Sequence, residues 1–103
     1  MTHTATILLI GELCESPRRI GDTKDKKPIV RFLVRCMKTN KTDYYPVTAW
    51  RGLAENCLEQ LHKGDLVEVK GDARTSSYTK DGIKCHGIEI SADDVTFLGG
   101  NEK

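Results

Sequence analysis

Tyr44-Tyr45-Pro46-Val47-Thr48-Ala49-Trp50-Arg51-Gly52-Leu53-Ala54-Glu55-Asn56-Cys57-Leu58 reads as a strand that turns at a glycine into a short amphipathic helix. Side chains alternate faces along a strand, so Tyr44, Pro46, Thr48 and Trp50 share one side while Tyr45, Val47 and Ala49 share the other. At roughly 3.3 Å per residue, Tyr44 and Trp50 stand about 20 Å apart, a span that several unstacked nucleotides bridge. Flat rings on a rigid sheet suit stacked bases. The opposite orientation, with Tyr44 and Trp50 against a core and Val47 and Ala49 outside, fits an isolated strand equally well, and the surrounding sequence has to decide. Beyond the expected strand end at Gly52, residues Leu53, Ala54, Cys57, Leu58 and Leu61 form a helical stripe. Gly64, after His62-Lys63, is the expected stop, which predicts one helix of about three turns.

Ahead of this stretch, Ile29 to Lys38 alternates with strand period, with Val30, Phe32, Val34 and Cys36 on a core face and Arg31, Leu33, Arg35 and Met37 on the other. The short link Asn40-Lys41-Thr42-Asp43 predicts an antiparallel hairpin, which puts Arg31 and Arg35 on the same sheet face as Tyr44 and Trp50. Cations to follow phosphates beside rings to stack bases are the two requirements of a single-strand platform. Thr6 to Cys14 is the first strand, interrupted by Gly11 where a bulge or a close backbone approach fits, and Glu15 to Pro28 reads as a turn or an extended hairpin loop. Asp65 to Thr79 is a long strand that a central Gly71 allows to bend. Lys80-Asp81-Gly82 is a hairpin turn, and Ile83 to Leu98 returns as the last strand with a break near Ala92-Asp93-Asp94. Five strands with one short helix between the third and fourth give an all-β fold, in the order of the five-stranded OB barrel, which often binds oligonucleotides or oligosaccharides on its face.

A chain of 103 residues has room for one domain, taken as 1–103. No apolar run approaches the ~20 residues of a membrane span. Ile7-Leu8-Leu9-Ile10 has no basic segment before it, so no signal peptide is read and a cytoplasmic protein is expected. The net charge of +1 is unevenly spread: nine basic residues between Arg18 and Lys41 face only Asp22 and Asp25, a local +7 that leaves −6 elsewhere. Concentrated positive charge is a plausible polyanion footprint, although Lys24 to Lys27 fits a solvated loop at least as well. The cysteines at 14, 36, 57 and 85 show no metal-ligand spacing and read as reduced and structural. None of the three histidines is given a chemical role. Asp93-Asp94 has no histidine, metal cluster or glycine-rich phosphate loop beside it, so no enzyme, cofactor or metal is expected.

Three stretches form a larger pattern: Ile7-Leu8-Leu9-Ile10-Gly11-Glu12-Leu13, Trp50-Arg51-Gly52-Leu53-Ala54-Glu55-Asn56-Cys57, and Lys63 through Thr75 (Lys-Gly-Asp-Leu-Val-Glu-Val-Lys-Gly-Asp-Ala-Arg-Thr). Together with Asp94-Val95-Thr96-Phe97-Leu98-Gly99-Gly100 they make the chain resemble the bacterial single-stranded DNA-binding protein (SSB) family from about Thr6 to Gly100. The resemblance implies that Tyr44, Trp50 and Tyr78 stack on bases. Arg31, Arg35, Lys38, Arg51, Lys70, Arg74 and Lys84 are then the candidates to follow phosphates. It also implies a homotetramer built from dimers, acting without sequence preference in replication, recombination or repair. Departures from the family pattern are a missing aromatic in Met37-Lys38-Thr39-Asn40, a missing asparagine-lysine pair before the first apolar run, and Pro46, which suggests a bulge or an edge. After Gly100 only Asn101-Glu102-Lys103 remain, without the acidic tail through which SSB proteins recruit repair enzymes, so either a short tailless form or a sequence cut at the domain boundary is expected. The alternative is an adaptor in replication restart, similar to primosomal replication protein N, which is a dimer.

Overall fold

The computed structural model describes residues 5–80 and 82–100, with side chains at all of these except 76–80 and 83–86. Its elements are β1 (Thr6–Leu13), β2 (Arg18–Asp22), β3 (Pro28–Lys38), β4 (Lys41–Trp50), α1 (Arg51–Gln60), β5 (Leu66–Lys80) and β6 (Ile83–Gly99). The sheet runs β1-β5-β6-β4-β3-β2, and a further pairing of β1 with β3 closes it into a barrel. β1, β3, β4, β5 and β6 are the five predicted strands, with the helix between the third and fourth. β2 is the addition: five exposed residues inside the segment read as a hairpin loop, held by antiparallel pairing with β3. Of the predicted hairpin turn at Lys80-Asp81-Gly82, Asp81 lies outside the described residues.

Alternation sorts the side chains as the sequence suggested. Val30, Phe32 and Val34 of β3, Val47 and Ala49 of β4, and Val67 and Val69 of β5 are all buried in one core. The orientation left open for β4 is thereby resolved: Val47 and Ala49 are fully inside, while Tyr44 and Trp50 keep 55% and 38% of their surface exposed. Pro46 pairs with Leu33 with no shift of register, so there is no bulge. β6 meets β4 only at Val47 and Thr48, and Pro46 stands just before that contact, where the missing N–H costs least.

α1 starts without a side-chain cap on its N-terminal amides. A ten-residue helix is marginal on its own, so its stability comes from the face it buries, Ala54 and Cys57, continued by Leu61 just past its end. The turn into the helix is made at Arg51, with φ 58°, and not at Gly52 as the sequence suggested. Gly64 lies beyond the helix end, in a turn that the Asp65 N–H closes by donating to the His62 carbonyl at 3.0 Å. Asp65 is the one buried charged residue among those described, and its carboxylate accepts from the His62 N–H at 2.8 Å.

Burial under the helix pushes the Cys57 thiol up from 9.0 to about 11. The folded state thus holds this proton more tightly than the unfolded chain, so stability does not respond to this group below about pH 9 and falls as pH rises from there toward 11. Cys14 and Cys36 are only half-buried. A thiol reagent at pH 8 is therefore expected to modify Cys14 in the folded protein and Cys57 only after unfolding, as peptide mass spectrometry of labelled protein would show.

Candidate nucleic-acid interface

The β3–β4 hairpin turns on Thr39-Asn40, a tighter connection than predicted, because Lys41 to Asp43 already belong to β4. Its register sets Ile29 opposite Trp50, Arg31 opposite Thr48, Leu33 opposite Pro46, Arg35 opposite Tyr44 and Met37 opposite Thr42. Directly opposed residues share a face. One outer wall of the barrel therefore carries both rings, both arginines and an apolar floor of Ile29, Leu33 and Pro46 between them. Two clefts flank this floor. One, of about 140 Å³, lies among Glu15, Arg18, Arg31, Phe32, Leu33 and Pro46. The other, of about 490 Å³, lies among Glu12, Leu13, Cys14, Arg35, Tyr44, Lys63 and Gly64.

Arg18 and Lys63 join the wall without having been singled out from the sequence. Arg18 faces Arg31 across the β2–β3 pairing, so a row of two guanidiniums runs across the strands and ends on Thr48. The signal that could have found Arg18 was the basic segment it opens; Lys63 gave none, because its approach depends on the turn after α1.

The other predicted cations are spread more widely. Arg74 is exposed and pairs in register with Glu89, so it stands beside the Arg31 end of the wall. Lys38 is exposed at the tip of the β3–β4 hairpin opposite Lys41. Arg51 lies next to Trp50 and its Nη1 donates to Asp25 Oδ2 at 2.8 Å. The Thr23 hydroxyl, then the loop backbone and Arg51, hold the Asp25 carboxyl below its usual value. Lys70 is on the outer side of β5, paired between Leu8 of β1 and Asp94 of β6, with no pairing to β3 or β4. The side chains of Tyr78 and Lys84 lie outside those described; their backbones are on opposite arms of the β5–β6 hairpin, with Tyr78 paired to Cys85 and Thr79 to Lys84.

Carboxylates accompany both central arginines. Arg35 Nη2 lies 3.4 Å from Glu12 Oε2, and Arg31 Nη2 lies 3.5 Å from Glu89 Oε1. Neither carboxylate was anticipated. Among the described residues there is no cluster of three or more potential metal ligands, and no helix is long and apolar enough to cross a membrane. What the wall offers is stacking surface and hydrogen-bond donors.

Comparison with known proteins gives the family. The family described as "Single-strand binding protein family" matches residues 4–98. The single-stranded DNA-binding protein of Caldanaerobacter subterraneus subsp. tengcongensis is 34% identical over 100 residues, covering 89% of this chain and 66% of that protein. The chain thus spans slightly under two thirds of that relative's length. Single-stranded DNA-binding protein 1 of Clostridium acetobutylicum is 31% identical, covering 89% of this chain and 91% of that protein. Among solved structures, the mitochondrial single-stranded DNA binding protein Rim1 of S. cerevisiae superposes with a TM-score of 0.81 over 97% of this chain at 18% identity, a likeness of fold.

Proposed function

Since the chain belongs to the single-strand binding protein family, we propose that its β3–β4 wall binds single-stranded DNA with little regard to sequence and catalyses nothing. The observation that carries this reading is the exposure of Tyr44 and Trp50 on the same face as Arg31 and Arg35 of a closed barrel. A core cannot account for two large exposed rings on the face that also carries two cations, one of them, Arg35, directly opposite Tyr44. Rings supply stacking that any base satisfies, and guanidiniums supply donors that any phosphate satisfies, so affinity follows from strand flexibility and not from base identity. Tyr78 and Lys84 extend the track along the β5–β6 hairpin in this reading, and Arg18, Arg51, Arg74 and Lys38 border it.

The protein acts, on this proposal, on single strands exposed in replication, recombination or repair in the cytoplasm, as a homotetramer or dimer. Self-association is supported by β1. Its pairing with β3 begins only at Glu12, which leaves the edge from Thr6 to Ile10 without a strand partner among the described residues, and Leu8 and Ile10 beside that edge are 57% and 53% exposed. An open apolar edge is what a second copy would cover.

The chain has one tryptophan, so its fluorescence reports the proposed platform alone. Titration with oligo-dT is expected to quench Trp50, with duplex DNA of equal length giving a weak response. The affinity is expected to fall with salt by about 0.7 in log K per log salt for each phosphate contact. Absence of quenching at low salt would sink the platform reading and favour a protein-docking adaptor.

A further inference from the structure

We propose that Glu12 and Glu89 are built-in competitors of the DNA phosphates: each holds one arginine of the aromatic wall, so that a strand binds by exchange of a carboxylate for a phosphate. This rests on the reading of that wall as the single-strand platform. The two carboxylates come from different strands and flank the wall on opposite sides, Glu12 from β1 against Arg35 and Glu89 from β6 against Arg31. Arg31 reaches Glu89 past Thr48, crossing the intervening strand β4. Carboxylate and phosphate engage a guanidinium through the same fork of N–H donors, so one arginine serves one or the other.

Both pairs are made to open. All four side chains keep between 35% and 53% of their surface exposed, and contacts of 3.4 and 3.5 Å are long for charge-assisted hydrogen bonds. Pairs of this kind are worth little as stability, so a structural role explains their position poorly. Arg35 adds a sharper observation. With its Nη2 turned to Glu12, its Nε is buried without a hydrogen-bond partner. A buried donor left unsatisfied is costly, and a guanidinium that swings outward to a phosphate recovers it.

Exchange has two consequences. Releasing a carboxylate beside the strand leaves a negative charge next to the phosphates, so each arginine contributes less affinity than a free one. Fewer counterions are released on binding, because the arginine was already partly neutralised, so the salt dependence is shallower than the number of arginines implies. A ligand that offers bases to Tyr44 and Trp50 makes up the loss by stacking, whereas a polyanion without accessible bases does not. Glu12 and Glu89 thereby determine specificity for unpaired strands, and keep binding weak enough to be reversed.

Oligo-dT affinity measured over a range of salt for the wild type, Glu12→Gln, Glu89→Gln and Glu59→Gln tests this. Glu59 is exposed near the C-terminal end of α1, outside the β3–β4 wall, and serves as a charge-matched control. At low salt, Glu12→Gln and Glu89→Gln are expected to tighten binding about two- to fivefold each, and to steepen the salt slope by about 0.7 each. Glu59→Gln is expected to change neither. The gain from Glu89→Gln must also vanish when Arg31→Gln is added. Equal tightening by all three variants would show a general effect of charge and overturn the proposal, as would unchanged or weakened binding by the first two. If the wild type itself fails to bind, the platform reading falls together with this inference; if it binds and only the variants fail to tighten, the competitor role alone falls.

Discussion

Trp50→Ala is expected to weaken oligo-dT binding about tenfold or more, and by nearly the same factor for mixed-sequence strands. Stacking of one base on an aromatic ring is worth about 1–3 kcal/mol, and about 1.4 kcal/mol is a factor of ten. Trp50 stands beside Ile29 at the end of β4 and is 38% exposed, which leaves it surface to offer a base. Because Trp50 is also the residue before α1, alanine there could act through the helix. Trp50→Phe separates the two effects: it keeps a flat ring and is expected to retain binding within about threefold if stacking is the cause. Anisotropy of a labelled oligonucleotide measures both variants, since the intrinsic reporter is lost with the tryptophan. Full affinity in Trp50→Ala would remove this residue from the platform.

Gly71→Ala is expected to be the most destabilising single-methyl change in the barrel. A Cβ built at Gly71 would run into the Ser91 carbonyl and come within 3.0 Å of the Ala92 Cα, all of it backbone. A clash with backbone cannot be relieved by a change of rotamer. The strands would have to separate at the point where the β5–β6 register already shifts, between Lys70 and Gly71. Overpacking of this kind costs about 1–3 kcal/mol, occasionally more. At about 4–8 °C per kcal/mol for a domain of this size, the melting temperature should drop by roughly 10–20 °C. Gly21→Ala is the matched control, because a Cβ at Gly21 meets nothing within 4 Å, and its melt should lie close to that of the wild type. Equal melts for the two variants would show that the close approach at Gly71 is relaxed at no cost.

The faces of β3 and β4 were legible because a closed barrel imposes strict alternation: one misplaced residue would have put Val47 in solvent and Trp50 in the core. Gly11 was legible for a related reason. An apolar strand interrupted by glycine asks for a close neighbour, and a Cβ at Gly11 would press on the Arg35 carbonyl and lie 2.8 Å from Val34 Cγ1. β2 was not legible, since all five of its residues are exposed and only β3 makes it a strand. Nor was the turn at Arg51, where glycine was available one position later and the chain used an arginine tied to Asp25. Parity placed Lys70 outside but could not say on which side of a barrel, because that depends on the neighbours β5 takes, Leu8 of β1 and Asp94 of β6. The least legible features were the carboxylates. Glu12 and Arg35 are 23 residues apart and Glu89 and Arg31 are 58 apart, and no local pattern connects them.

The barrel closes between β1 and β3 through only two residue pairs, Glu12 with Arg35 and Leu13 with Val34. Beyond them, the Cys14 amide still reaches the Leu33 carbonyl at 3.0 Å. This is a clasp, far shorter than the ten-pair zipper that joins β3 to β4. One of its two pairs contains the same arginine that faces Tyr44. A load applied to the outer wall through Arg35 is therefore carried to one of the two shortest joints of the cylinder, the other being the two-pair contact of β4 with β6, and a strand lying on that wall tugs on a fastening that keeps the barrel shut.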